Sequence, residues 1–282
     1  MTADLTVDIS EGVAVLTLNR PDRLNAYTSE MGRLLGQAYQ DCDDDDQVRA
    51  IVVTGAGAAF CVGADFAGGA EPFAAPDDDT FSASPIRPAA FELRTPVIAA
   101  VNGHAIGIGL TMALQADIRI LAVDAKYGVV QARRGVIADC MSHWTLPHLA
   151  GLAVAADVLL TGRTFTGSEA LALGLASRAV PADDVLNQAL DIAHDIAANV
   201  APMSAALCKR LLWDAASKGY TPQQVASMET QLHRRVMGSA DAQEGTAAFM
   251  AKRAPHWTSS VSAEWTNLPV PMNSADCTDA CG

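Results

Sequence analysis

The sequence predicts an α/β fold built around a parallel sheet, and three observations carry that expectation. Short apolar runs recur at residues 50–53, 96–101 and 117–122, the pattern of strands buried on both faces. Strand–turn–helix steps repeat along the first two thirds of the chain, which implies parallel pairing with right-handed crossovers. Half of the 282 residues are hydrophobic and only 18% are charged, with a mean hydropathy of +0.17. A disordered chain has the reverse profile.

Taken in order, Val7 and Ile9, a turn at Glu11-Gly12 and the run 13–18 alternate as a hairpin does. Asn19-Arg-Pro21 breaks the pattern. Met31, Leu34, Leu35 and Ala38 then share one face of a helix. The acidic run 43–46 reads as a solvated turn, and 50–53 as a buried strand. Residues 55–69 are rich in Gly and Ala, and 70–88 read as a long loop of the kind that is usually functional. Strand 96–101 follows, then a turn at 102–109 leading into a short apolar helix, then strand 117–122. Thr166-Gly-Ser-Glu169 is a capping box opening a helix that Gly174 closes. Residues 181–198 form an amphipathic helix, and Thr221-Pro-Gln-Gln224 caps another. Strand signal fades beyond Pro202. The expected division is therefore a core over 1–200, a helical module over 201–257 and a Ser/Thr/Pro-rich flexible tail over 258–282.

The 32 Asp and Glu outnumber the 19 Lys and Arg, for a net charge of −13. That balance argues against nucleic acid and against an anionic membrane surface as partners. It leaves room for a small anionic ligand met locally by backbone N–H groups. No apolar run reaches about 18 residues, and the start of the chain lacks the basic and apolar regions of a signal peptide. Cys42, Cys61, Cys140 and Cys208 are scattered singly, as reduced thiols in a cytoplasmic protein are. Cys277 and Cys281 form a C-x3-C pair without partner ligands, so no metal is expected. His143 and His148 read as packing. The turns Gly55-Ala-Gly57 and Gly107-Ile-Gly109 lack the third glycine of a dinucleotide fingerprint, which is Phe60 in one and Met112 in the other. The chain has no P-loop, no His-Glu-x-x-His and no Gly-x-Ser-x-Gly.

Two glycine-rich turns remain, Phe60-Cys-Val-Gly-Ala-Asp65 and His104-Ala-Ile-Gly-Ile-Gly109, each after a buried strand. Ligands in parallel α/β sheets collect at the carboxyl ends of strands. Small residues there let a backbone approach a substrate closely, and two N–H groups converging on one carbonyl oxygen form an oxyanion hole. Tight corners with no ligand would have the same spacing, so both readings stand at this point.

At these residues the chain resembles the enoyl-CoA hydratase/isomerase, or crotonase, family. The matching elements run in order: Leu18-Asn-Arg-Pro with Leu24-Asn-Ala26; Phe60-Cys-Val-Gly-Ala-Asp65; Thr95-Pro-Val-Ile-Ala-Ala-Val-Asn-Gly103; Gly107-Ile-Gly109 with Asp117; Leu160-Thr-Gly-Arg163; and Ala170-Leu-Ala-Leu-Gly-Leu175. They span roughly residues 5–255. The resemblance implies a ββα spiral core with a C-terminal α-helical trimerisation region, assembled as a homotrimer or hexamer. It also implies an acyl-CoA thioester substrate and no separate cofactor. The oxyanion donors it assigns are the backbone N–H groups of Ala64 and Ile108, Ile108 standing where many members have glycine. Arg23, Leu24 and Ala26, with Cys61, Val62, Gly63, Asp65 and Phe66, match the segments that cradle coenzyme A. Arg20 and Arg23 are candidate phosphate cations, with Lys or Arg of the C-terminal helices. Gly107, Thr111, Gln131 and Trp144 fall around the acyl group.

The family's hydratases use two carboxylates about twenty residues apart, and the corresponding positions here are Thr111 and Gln131. Neither side chain can serve as a carboxylate base. Some family isomerases instead carry a single downstream acid, which matches Asp139 of Gly135-Val-Ile-Ala-Asp139, although Ala138 replaces the usual proline. One carboxylate suffices for a 1,3-proton shift, and burial among Val136, Ile137 and Trp144 would raise its pKa. Asp139 could equally cap a helix beginning near Cys140. The expected activity is thus isomerisation of an enoyl-CoA double bond. The alternatives are hydration through Asp139 and an ordered water, or acyl-CoA binding without turnover.

Overall fold

In the computed structural model the described residues are 3–66, 81–266 and 268–269. A hairpin opens the chain, β1 (Leu5–Ser10) and β2 (Val13–Leu18), paired antiparallel from Leu5↔Leu18 to Ser10↔Val13. Glu11 (φ 49°) and Gly12 (φ 79°) take the left-handed conformations that a tight two-residue turn needs. Helix α1 (Ser29–Asp44) buries Met31, Leu35 and Ala38 as the periodicity predicts. Its first turn is capped by Thr28, whose hydroxyl accepts from the Met31 N–H.

Three successive steps then build two sheets together. The strands β3 (Ala50–Gly55), β5 (Val97–Val101) and β7 (Ile118–Ala122) add in parallel to β2. Each is followed almost at once by a three-residue strand of a second sheet: β4 (Ala59–Cys61), β6 (His104–Ile106) and β8 (Lys126–Gly128). With β9 (Thr164–Thr166) and β10 (Arg178–Val180), the sheet orders become β1-β2-β3-β5-β7-β10 and β4-β6-β8-β9. This repeated strand–strand advance is the expected spiral. The second sheet was not legible in the sequence, because three residues are too few to show a period. What the sequence suggests as one turn over 102–109 contains β6.

Helix α2 (Ile108–Ala113) leads from β6 to β7, and the long α3 (Ser142–Thr161) lies between β8 and β9 in the chain. Helix α3 is kinked at Gly151 (φ 78°). Among the described residues it is the one helix long and apolar enough to cross a membrane; its Leu146, Ala155 and Val158 join the main core, while Leu152 and Leu160 are exposed. Helix α4 (Gly167–Ala172) is capped by Thr166 accepting from the Glu169 N–H. The Glu169 carboxylate goes to Arg163 (2.6 Å) rather than back to the cap, so only half of the expected box forms. Helix α5 (Val185–Asn199) lays Val185, Ala189 and Ala193 over the main sheet.

The C-terminal helices are α6 (Pro202–Lys218), α7 (Pro222–Val236), α8 (Ala240–Ala251) and the short α9 (Val261–Glu264). The capping box at Thr221 and Gln224 is complete. A buried ion pair joins α6 to the sheet. Lys209 donates to Asp117 Oδ2 and to the carbonyls of Ala90 and Thr95, each at 2.8 Å, so all three ammonium protons are used. Asp117 also accepts from Val97 N (2.7 Å) and Trp213 Nε1 (2.7 Å).

The acidic run departs from its expected role as a solvated turn. Asp43 accepts from the backbone N–H groups of Arg94 and Thr95 (2.8 Å each) and pairs with the Arg94 guanidinium. Asp46 accepts from Ser262 N (2.9 Å) and from the Ser260 hydroxyl. The run therefore pins the entry to β5 and holds α9. Residues 258–259 are likewise fastened, by Asp241; Cys277, Cys281 and the end of the tail lie outside the described residues.

Replacing Lys209 with Ala leaves Asp117 half-buried with its strongest partner gone. The expected cost is about 3 kcal/mol, because breaking a buried pair strands the remaining charge. Thermal or denaturant unfolding checks it, and an unchanged midpoint would show that the pair does not fasten α6.

Candidate active site

The parallel pairing of β4 with β6 builds the site. Ala59 stands opposite His104 and Cys61 opposite Ala105, with an irregularity between them, so the turns that follow the two strands leave the sheet side by side. Gly109 makes the approach possible: a Cβ there would overlap the Cys61 carbonyl oxygen. Each proposed donor follows a glycine in a conformation closed to other residues, Gly63 at φ 104° and Gly107 at φ 56°. The two glycines face one another, since a Cβ on Gly107 would lie 3.9 Å from Gly63 Cα.

Both N–H groups are available. Tyr27 N donates to Gly63 O (2.7 Å) and Asp65 N donates to Tyr27 O (3.0 Å). That alternation turns the Ala64 N–H to the opposite side, where it has no partner among the described residues. The Ile108 N–H is the first of α2, whose internal bonds begin with Leu110 and Thr111 donating to Gly107 O (3.0 Å each).

The two segments assigned to the coenzyme zip together. Val62 N donates to Leu24 O (3.3 Å) beside the Tyr27 bonds. Asn25, fully buried, locks the turn: its amide donates to the carbonyls of Ala56 (2.9 Å) and Ala59 (2.7 Å), and its oxygen accepts from Arg20 N (2.8 Å). Leu24 and Asn25 both adopt positive φ, 50° and 54°. The sequence reading passed over Asn25 within its own motif; an Asn between two glycine-poor neighbours in a tight turn was the available signal. Arg20 is not a free phosphate cation. Its guanidinium pairs with Asp65 (2.8 Å), lies 3.6 Å from Asp4 and donates to the Ala26 carbonyl. Arg23 and Lys252 are exposed and have no side-chain partner among the described residues. Leu24 and Phe66 are exposed, whereas the Cys61 side chain is buried and its thiol pushed up to about 12 by burial.

Asp139 meets the same site from the other side. Its carboxylate accepts a short hydrogen bond from the Thr111 hydroxyl, and Thr111 also contacts the Ile108 carbonyl (3.3 Å). Thr111 thus ties the Asp139 carboxyl to the turn that carries the Ile108 N–H. Burial raises the Asp139 pKa above the ordinary carboxylate value, against the opposing pull of Thr111 and the nearby Gln131 amide. The expected source of that burial needs correction: Ile137 is 79% exposed and does not cover the carboxyl. The helix-cap role is also not taken. Helix α3 begins at Ser142 after Met141, with no side-chain cap. Cys140 (φ 48°) and Met141 (φ 58°) form a left-handed step that separates Asp139 from the helix, a strained arrangement typical of functional sites.

Two further features escaped the sequence reading. The Tyr27 hydroxyl is buried without a hydrogen-bond partner among the described residues, near enough to Asp139, Cys140 and Cys61 for their charges to add to burial in raising its pKa. Gly32, in the first turn of α1, makes room for it, since a Cβ there would strike the hydroxyl; a glycine within the helical pattern was the signal. Trp144 packs in an aromatic cluster with Phe91 (5.2 Å between ring centres), His148 (4.5 Å) and Trp213 (5.7 Å), which links it to α6. Residues 70–80 of the 70–88 loop lie outside the described residues.

A pair of backbone donors beside one raised carboxyl suits chemistry on a carbonyl whose neighbouring carbon gains or loses a proton. Comparison with known proteins agrees. The family model described as "Enoyl-CoA hydratase/isomerase" matches residues 8–260. The chain is 37% identical over 258 residues to "Probable enoyl-CoA hydratase echA8" of Mycobacterium tuberculosis, covering 90% of this chain and 97% of that protein. It is 34% identical over 255 residues to the 1,2-epoxyphenylacetyl-CoA isomerase of Escherichia coli, covering 89% and 96%. The crystal structure of a probable enoyl-CoA hydratase/isomerase from Mycobacterium abscessus superposes with a TM-score of 0.89 at 58% identity, over 92% of this chain and all of that one. With the crotonase fold, the paired donors and these matches in agreement, the chain belongs to the enoyl-CoA hydratase/isomerase family.

Proposed function

We propose that the protein shifts the double bond of an enoyl-CoA thioester, with Asp139 as the single acid/base. The observation that carries this reading is the composition of the site: one buried carboxyl, with Thr111 and Gln131 beside it, where two carboxylates would serve a hydratase. The thioester carbonyl accepts from Ala64 N–H and Ile108 N–H. Ionised Asp139 removes a C2 proton from a 3-enoyl ester, and the electron pair delocalises into the carbonyl as a dienolate. The two donors stabilise the oxyanion, each by about 3–4 kcal/mol on the scale of hydrolytic enzymes. Protonated Asp139 then returns the proton at C4, leaving the double bond between C2 and C3 and the carboxylate regenerated. A raised pKa suits this cycle, because the group must release the proton that it has just taken.

A hydratase reading has one observation in its favour. The Gln131 amide lies near Asp139 with no hydrogen-bond partner among the described residues, and could orient a water. Among relatives, names of both kinds occur. Faster hydration of a 2-enoyl ester than isomerisation of a 3-enoyl ester would select that reading.

Two expectations follow from Asp139. In the Asp139→Asn variant, conversion of 3-enoyl- to 2-enoyl-CoA falls by about 10²–10⁴-fold while the affinity for the ester is retained; unchanged turnover would sink the assignment. Stability moves the other way. Between the ordinary Asp pKa and the raised folded value, the unfolded chain has lost a proton that the folded chain keeps, so stability falls as pH rises through that window. Asparagine removes the penalty. The variant should melt higher than wild type at pH 7, with the difference shrinking below the ordinary Asp pKa; a lower melting point at pH 7 would contradict a destabilising buried carboxylate.

A further inference from the structure

Buried polar atoms without a hydrogen-bond partner cost about 1–3 kcal/mol each, and folded chains contain few. Among the described residues, the side chains that carry them are Tyr27, Gln131, Ser142 and Thr145. They are not spread through the molecule. Tyr27 and Gln131 lie close enough to Asp139 to interact with it electrostatically, and Ser142 and Thr145 share a face of the first turn of α3, which starts three residues later.

Gln131 stands out because both ends of its amide, Nε2 and Oε1, are unpartnered while the residue is only 6% exposed. Its position is defined from two sides. A Cβ on Gly107 would sit 3.7 Å from its Nε2, and its amide neighbours the Asp139 carboxyl without meeting hydrogen-bond geometry. The amide therefore lies between the residue that precedes an oxyanion donor and the acid/base. An acyl chain running from the carbonyl past Asp139 passes it.

A hydrocarbon chain would leave donor and acceptor both unsatisfied. An ammonium would satisfy only Oε1, and a carboxylate would satisfy only Nε2 while adding negative charge beside Asp139. A hydroxyl serves both ends, donating to Oε1 and accepting from Nε2. We infer that Gln131 is a specificity-determining residue, and that the preferred substrates are CoA esters whose acyl chain carries a hydroxyl beyond C3. The inference rests on the thioester being held at Ala64 and Ile108, but not on which reaction Asp139 performs.

The test uses saturated esters, which have no double bond to move. Calorimetric titration compares hexanoyl-CoA with freshly prepared 4-hydroxy- and 5-hydroxyhexanoyl-CoA on wild type, Gln131→Met and Gln131→Asn. Wild type should bind at least one hydroxylated ester about tenfold more tightly than hexanoyl-CoA. Gln131→Met should abolish that preference and bind hexanoyl-CoA at least as well as wild type, and Gln131→Asn, with its amide drawn back, should lose the preference while keeping the fold. Equal or weaker binding of both hydroxylated esters by wild type would overturn the inference. So would a Gln131→Met variant that weakens all three esters alike, the signature of an amide holding a water. Loss or survival of isomerisation in Asp139→Asn is read separately and does not bear on these affinities.

Discussion

The site depends on how closely two three-residue strands can approach. Gly109 lies against the Cys61 carbonyl with no room for a side chain, and that contact sets β4 beside β6. Everything at the site is referenced to this pairing. It brings Gly63 and Gly107 face to face, each at a positive φ just before the residue whose N–H is left without a partner among the described residues. It places Thr111, one turn into α2, where its hydroxyl reaches Asp139. Two backbone donors and one carboxyl are thereby held by secondary structure rather than by long side chains. Such preorganisation makes electrostatic stabilisation effective, because the donors need no reorganisation as charge develops.

The electrostatics of the chain resolve into two scales. Its net charge of −13 is spent partly in structure: Asp43 and Asp46 hold the entry to β5 and α9, Asp117 anchors α6, and Asp65 engages Arg20. At the turns after β4 and β6 the charges on offer are partial ones on neutral N–H groups. Asp139 is the carboxyl that burial pushes towards its neutral form. Thr111 and Gln131 moderate that push by favouring the anion, so burial, opposed by two polar neighbours, sets the balance.

Much of the main sheet was legible in the sequence because its inner strands are five or six residues long and mostly apolar, and the hairpin at Glu11-Gly12 announced itself by alternation. The second sheet was not, because strands of three residues carry no period and their pairing is decided by tertiary contact. The glycine-rich turns were readable in the sequence and the resemblance assigns Ala64 and Ile108 to them, but that the Ala64 N–H has no partner among the described residues follows only from the Tyr27 bridge. Ile137 and Arg20 show the limits of reading single residues: apolar character did not imply burial for the one, nor positive charge a free cation for the other. Asp139 lay between two roles in the sequence, and the left-handed step at Cys140 and Met141 separates it from the helix it could have capped.

The central claim is that one carboxyl carries one proton from C2 to C4. A 3-enoyl-CoA deuterated at C2 and converted in ordinary water tests it directly by mass spectrometry and NMR of the product. Part of the label should appear at C4 of the 2-enoyl ester, because a buried Asp139 returns some deuterium before it exchanges with solvent. A 3-enoyl ester left unconverted, or a 2-enoyl product with no label at C4, would contradict it.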